Sequence, residues 1–207
     1  MKQQIDLKEL ERKVWTSFYA DGLGDIFLGC LFLMFALAPL LGEMGLGDFW
    51  SSAVFIPFLT AIYILIVLLR KRVVVPRIGL VSFGKERKKR LMKFNILMFV
   101  VLSVSLILGF VSFRGSMTRP WVHSLRFTMI LLIGFGIAGY FLGFLRLYIY
   151  GILAALSIPV GEWLFYHFGV PHHGFPVTFG ITAGTMIMTG VVLFLRLLWK
   201  HPRPQET

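Results

Sequence analysis

Apolar positions along this chain do not alternate with polar ones. They run in continuous blocks of roughly 20 residues, the length at which a helix crosses a bilayer. Six blocks lie at about 24–41, 50–69, 93–113, 123–145, 147–168 and 175–198. At about 1.5 Å of rise per residue, most can span a hydrocarbon core of about 30 Å. Backbone amides in lipid must be satisfied internally, which leaves helices or a closed barrel. Barrel strands are shorter and alternate, so the pattern predicts an all-α, polytopic transmembrane helix bundle of about six spans. The first block has only 17 residues between Asp25 and Glu43, and Pro39 is placed to bend its outer end. Ala36-Leu37-Ala38 resembles a cleavage site, but the proline that follows argues for a retained span. Only Arg146 and its neighbours separate the fourth and fifth blocks, which predicts a tight hairpin.

Three regions follow: an arm over 1–23, a membrane domain over 24–199 and a tail over 200–207. In the arm, Asp6 and Glu9 are spaced as a capping box, and Leu7, Leu10, Val14, Trp15 and Phe18 recur at helical spacing. That pattern suits an amphipathic helix lying at the membrane interface, or a soluble helix packed under the bundle.

The sequence is 57% hydrophobic with a mean hydropathy of +0.79, more apolar surface than a soluble core of 207 residues can hide. Its net charge of +11 would suggest nucleic acid in a soluble protein. Here the charges sit between the blocks, so membrane topology and anionic lipid head groups are the expected partners, and nucleic acid is not. The stretch Arg70–Lys93 holds ten Lys and Arg against the single acid Glu86. With the arm, Arg146 and the C-terminal residues, eighteen basic residues fall on one side and three (Arg114, Arg119 and Arg126) on the other. The positive-inside rule then predicts a cell (inner or plasma) membrane protein with both termini and the basic loop 70–92 in the cytoplasm. Trp15, Trp50, Trp121, Trp163 and Trp199 all fall near expected interfaces, as an aromatic belt requires. The single cysteine, Cys30, lies inside the first block and reads as an inert buried thiol.

Small residues mark expected helix contacts, within one chain or between copies or partner subunits: Gly139 and Gly143, Gly180 and Gly184, and Gly151 with Ala155.

Candidate chemistry gathers at the expected outer face. Glu162 and His167 lie near the end of the fifth block, and Gly169-Val170-Pro171-His172-His173-Gly174-Phe175-Pro176 follows. His123 opens the fourth block, with Arg126 one turn deeper. Imidazoles beside a carboxylate suit a divalent metal, with His172, His173 and His167 as ligands, although no known zinc spacing is present. A solvated histidine-rich loop accounts for the same residues. Glu162 is the one acid placed within the membrane, and it is expected to pair with Arg126 or a nearby histidine, as a ligand site or as a plain ion pair. On the other side, Asp21 and Asp25 flank the start of the first block, where helix capping explains them. The stretch from Val73 to Gly84 is rich in β-prone residues and interrupted by Pro76 and Gly79, which predicts a short extended ribbon or hairpin. Lys85, Arg87, Lys88, Lys89 and Arg90 then form a run suited to lipid or a cytoplasmic partner.

Two motifs, Asp21-Gly22-Leu23-Gly24-Asp25-Ile26-Phe27-Leu28-Gly29 and Pro76-Arg77-Ile78-Gly79-Leu80-Val81-Ser82-Phe83, resemble a group of prokaryotic multi-pass membrane proteins. The resemblance covers about a quarter of the chain and implies no activity; it singles out Asp21, Asp25, Pro76, Arg77 and Gly79. The further aspartates of lipid-head-group transferases with a DG motif are missing. In size alone the chain is similar to the substrate-binding subunits of energy-coupling-factor transporters.

Three functions fit. A small-molecule or ion binding and transport component ranks first, an accessory or regulatory subunit acting through the basic loop second. A metal-dependent membrane enzyme ranks last, because no nucleophile–base constellation or phosphate loop supports it.

Overall fold

The structure, a computed structural model, describes residues 21–45, 53–78, 89, 92–101, 103, 104, 107 and 120–202, with backbone alone for residues 78, 120, 121 and 123. Among the described residues every regular element is helical: α1 (Leu23–Glu43), α2 (Phe55–Leu69), a π-helical turn (Arg70–Val74), α3 (Val75–Ile78), α4 (Met92–Val101), α5 (Pro120–Leu142), α6 (Leu145–Phe168), a short turn of 3-10 type (His172–Gly174) and α7 (Phe175–Lys200). Four helical segments, Leu23–Glu43, Ser124–Leu142, Leu145–Phe168 and His172–Lys200, are long and apolar enough to cross a membrane. Their exposed faces carry large apolar side chains such as Phe127, Ile133, Ile152 and Ile181, consistent with an integral membrane protein. The expected amphipathic arm and most of the basic run lie outside the described residues. So does the end of the third block.

The chain divides into two compact units, residues 1–82 with 179–207, and residues 83–178. In the first unit, α1 and α7 meet along small residues. A Cβ on Gly29 would lie 2.5 Å from Ile187 Cγ1 and 3.0 Å from the Ala183 carbonyl oxygen; one on Gly190 would lie 2.6 Å from the Gly22 carbonyl oxygen. A Cβ on Gly180 would sit 4.0 Å from Ala36 Cβ. Contacts that ascend in α1 (22, 29, 36) descend in α7 (190, 187–183, 180), so the two helices run antiparallel. Gly22 makes this possible at the start of α1. Its φ of +75° suits glycine, and the backbone of Gly190 fills the place of its missing side chain. Phe32 stacks on Phe179 at 5.9 Å, and Met34 and Met186 complete the core.

The second block does not end at Arg70. The backbone continues helically through Ile78, so the expected extended ribbon is absent over Val73–Ile78; residues 79–84 lie outside the described set. Strand preference of valine expresses packing on a sheet, and none is present among the described residues. Pro76 cannot donate to an i−4 carbonyl. Immediately before it the register widens, Val75 N–H donating to Arg70 O five residues back.

In the second unit α5 and α6 form a hairpin. The fourth span ends at Leu142 rather than near 145, and the break is Gly143 and Phe144 rather than Arg146, which is already inside α6. Gly143 has φ +76° and its N–H donates to Gly139 O (2.8 Å), a left-handed helix ending. Gly143 therefore closes a helix, while Gly139 packs: a Cβ there would lie 2.7 Å from the Tyr148 ring. Gly151 admits Phe135 in the same way, at 2.5 Å. Leu147, Gly151, Ala154, Ile158 and Gly161 are buried along one seam of α6, spaced alternately by four and three. Pro159 frees the carbonyl of Ala155, and Thr128 Oγ1 approaches that oxygen at 3.4 Å while donating to Ser124 O at 2.9 Å. Neighbouring hydroxyls are how spanning helices tolerate proline.

Candidate functional site

Glu162 projects from the last two turns of α6, one residue past the point where Gly161 lets the His172–Gly174 turn press against the helix. A Cβ on Gly161 would lie 2.6 Å from His173 O, and one on Gly174 would lie 2.7 Å from Gly161 O. That approach brings His173 to the carboxylate: its Nδ1 donates to Glu162 Oε2 at 3.1 Å. Ser124 Oγ, on α5, donates to Glu162 Oε1 at 3.2 Å. The His173 ring stacks on Phe165 at 4.5 Å and lies 5.8 Å from Phe175. The pair is open to its surroundings, the Glu162 side chain being 20% and that of His173 49% exposed.

The turn that carries the histidine is strained. His172 and His173 have φ of +54° and +53°, and Gly174 has +64°. Two successive side-chain-bearing residues are thus left-handed, at roughly 1–2 kcal/mol each. Gly174 N–H to Pro171 O (3.1 Å) closes the turn, and Thr178 Oγ1 to Gly174 O (3.3 Å) ties it to α7. Beneath it, Ser157 Oγ reaches Leu153 O at 2.9 Å and Thr178 O at 3.3 Å.

Of the expected site residues, the structure brings Glu162 and His173 together and adds Ser124, which the sequence reading did not single out. His167 is exposed; its Nδ1 donates to its own helix at Trp163 O (3.1 Å) and its ring stacks on Trp163 at 5.1 Å. Arg126 is half-buried in α5, one helix position beyond the Ser124–Glu162 contact and its neighbour Leu125. The side chain of His123 lies outside the described set. No group of three or more His, Cys, Asp or Glu side chains that could hold a metal occurs among the described residues, so His167, His172 and His173 do not converge there as a ligand set.

The first unit holds a second polar cluster. Asp21 is fully buried. Its Oδ1 accepts Leu23 N–H (3.1 Å) from the position before the N-cap residue, Gly22. Its Oδ2 accepts Arg70 Nε (3.1 Å) and Nη2 (2.7 Å), a cross-helix ion pair between residues 49 apart. Asp25 is buried one turn along α1. Arg77 is half-buried, Pro76 is exposed, and Gly79 lies outside the described residues. Of the basic run only Lys89 is described, helical and exposed. Comparison with protein-family models, with curated proteins and with solved structures finds no match.

Proposed function

We propose that the protein is a multi-pass cell-membrane protein that binds and conveys a small solute or ion, with Glu162 as the binding carboxylate. One observation carries this reading: an acid in a helix long and apolar enough to span a membrane is left partly open, and its partners among the described residues are a hydroxyl and an imidazole. Such a carboxylate attracts a cation or a solute with a basic group. Both termini in the cytoplasm is part of the same proposal, supported by the eighteen-to-three distribution of basic residues. Contact of Lys85, Arg87, Lys88, Lys89 and Arg90 with anionic lipid belongs to it as well.

The test is a thermal-shift panel of inorganic cations and small amines on the purified protein, at about pH 5.5 and about pH 8. Stabilisation of the wild type by one class, lost in Glu162→Gln, is expected. A flat response of the wild type to the whole panel, or an unchanged response in Glu162→Gln, overturns the proposal.

A further inference from the structure

The basic residues that follow α2 are not equivalent. Arg70 has its charge met by Asp21, while Lys71 and Arg72 are exposed. Arg77 differs from both. Its Nε and Nη1 are shut away from solvent, and no hydrogen-bond acceptor among the described residues reaches either atom. Two guanidinium donors closed off without an acceptor are unfavourable even on a half-buried side chain, and buried donors are found paired. Val74, four residues after Arg70 and three before Arg77, is 2% exposed, so this stretch turns a face inward.

The depth of Arg77 narrows the choice of anion. The apolar run of α2 ends at Leu69, and the helix carries the chain on through Ile78. Eight residues past Leu69 correspond to about 12 Å along the axis. A long arginine side chain there reaches the headgroup layer that borders the hydrocarbon core. Phosphate is the abundant anion at that level, and its several oxygens match the fork of guanidinium donors. Lys71 and Arg72 add positive charge on the same helical stretch. The π-helical turn before Pro76 is a further sign, since such bulges recur at functional sites.

We propose that Arg77 anchors a phosphate group, the chemistry shared by a phospholipid headgroup and free phosphate. This site lies in the first unit and does not depend on Glu162.

The test uses the full chain in detergent and in nanodiscs, with three probes: phosphatidylglycerol, diacylglycerol and inorganic phosphate. Native mass spectrometry reads retained ligand and thermal unfolding reads stabilisation. Phosphatidylglycerol or phosphate should bind and stabilise, and diacylglycerol should not. Retention of phosphatidylglycerol against excess phosphate assigns the lipid as source; displacement by phosphate assigns the free ion. Arg77→Gln should weaken binding at least about tenfold, the loss expected for a charge-assisted hydrogen bond. Lys71→Gln, an equal change in charge at an exposed position, should weaken it less than about threefold. Arg77→Lys keeps the charge without the fork and should fold and bind at an intermediate level, which decides the matter if the glutamine variant fails to fold. Equal losses in Lys71→Gln and Arg77→Gln, full binding in Arg77→Lys, or no binding of either phosphate probe by the wild type overturns the proposal.

Discussion

Asp21, just before α1, and Glu162, within α6, are both carboxylates at helices of spanning length, yet their settings are opposite. Asp21 is closed on every side: a backbone N–H on one oxygen, two guanidinium nitrogens on the other, and no exposure. Glu162 keeps a fifth of its side chain exposed and leans on two uncharged-capable partners, one of them on a strained turn. Acid–base partnership alone therefore does not mark a responsive site. A permanent cation and full burial make a joint, whereas a titratable partner and an open side make a place where another group can enter.

The largest test of that contrast is removal of the joint. Asp21→Ala removes both Arg70 bonds and the acceptor of Leu23 N–H, and is expected to cost about 3 kcal/mol, the low end for a buried pair because Arg70 is partly exposed. Thermal unfolding of the purified variant reads it, and Arg70→Ala combined with Asp21→Ala should cost little more than either alone. A loss for Asp21→Ala no greater than that for Glu162→Gln would erase the distinction.

Gly29→Ala sharpens the same contrast through packing. Its Cβ meets backbone as well as side chain, at 2.9 Å from Ile187 N, so α1 and α7 must part, at about 2 kcal/mol. The identical change at Gly184, where nothing lies within 4 Å, should cost nothing measurable.

On the other side of the comparison, His172→Gly relaxes one left-handed residue of the turn and should raise stability by about 0.5–1 kcal/mol. A lower unfolding temperature would show that the turn is not under strain.

Glu162→Gln has the smallest expected effect on unfolding, about 0.5 kcal/mol, because the pair it breaks is exposed. Thermal unfolding of the purified variant beside the wild type reads it.

The helices were legible because each apolar run is long and uninterrupted: α1, α6 and α7 lie within a few residues of the blocks read from the chain. What escaped was set by partners distant in sequence. Arg70 reads as one more basic residue at a span end, and only the fold brings it to Asp21. Gly22, Gly29 and Ala36 repeat every seven residues, a seam that a search for pairs four apart passes over. Gly143 was misread for the converse reason, since it fits the pair pattern but serves to end a helix. Val73–Ile78 misled because β-branched residues in a row resemble a strand when no sheet is there to receive them. At the candidate site, Glu162 stood out as an acid within an apolar block. Ser124 did not, because a lone serine in a span carries no signal until its helix is placed beside another.

The antiparallel seam between α1 and α7 bears on how the chain is made. Ribosomes deliver α1 first, but Gly29 has no mate until Ala183 and Ile187 emerge, about 150 residues later. At about 5–20 residues per second, that interval is on the order of 10 s. Throughout it α1 must reside in the membrane with its tightest surface uncovered and with two carboxylates near its leading end, Asp21 and Asp25. Arg70 arrives far sooner than α7, so the Asp21–Arg70 pair, like the Phe27–Tyr63 and Phe35–Phe55 ring contacts, can form while α7 is still awaited. Quality control during synthesis would accordingly act on a waiting first helix, and chains released before residue 190 would present that helix to membrane proteases.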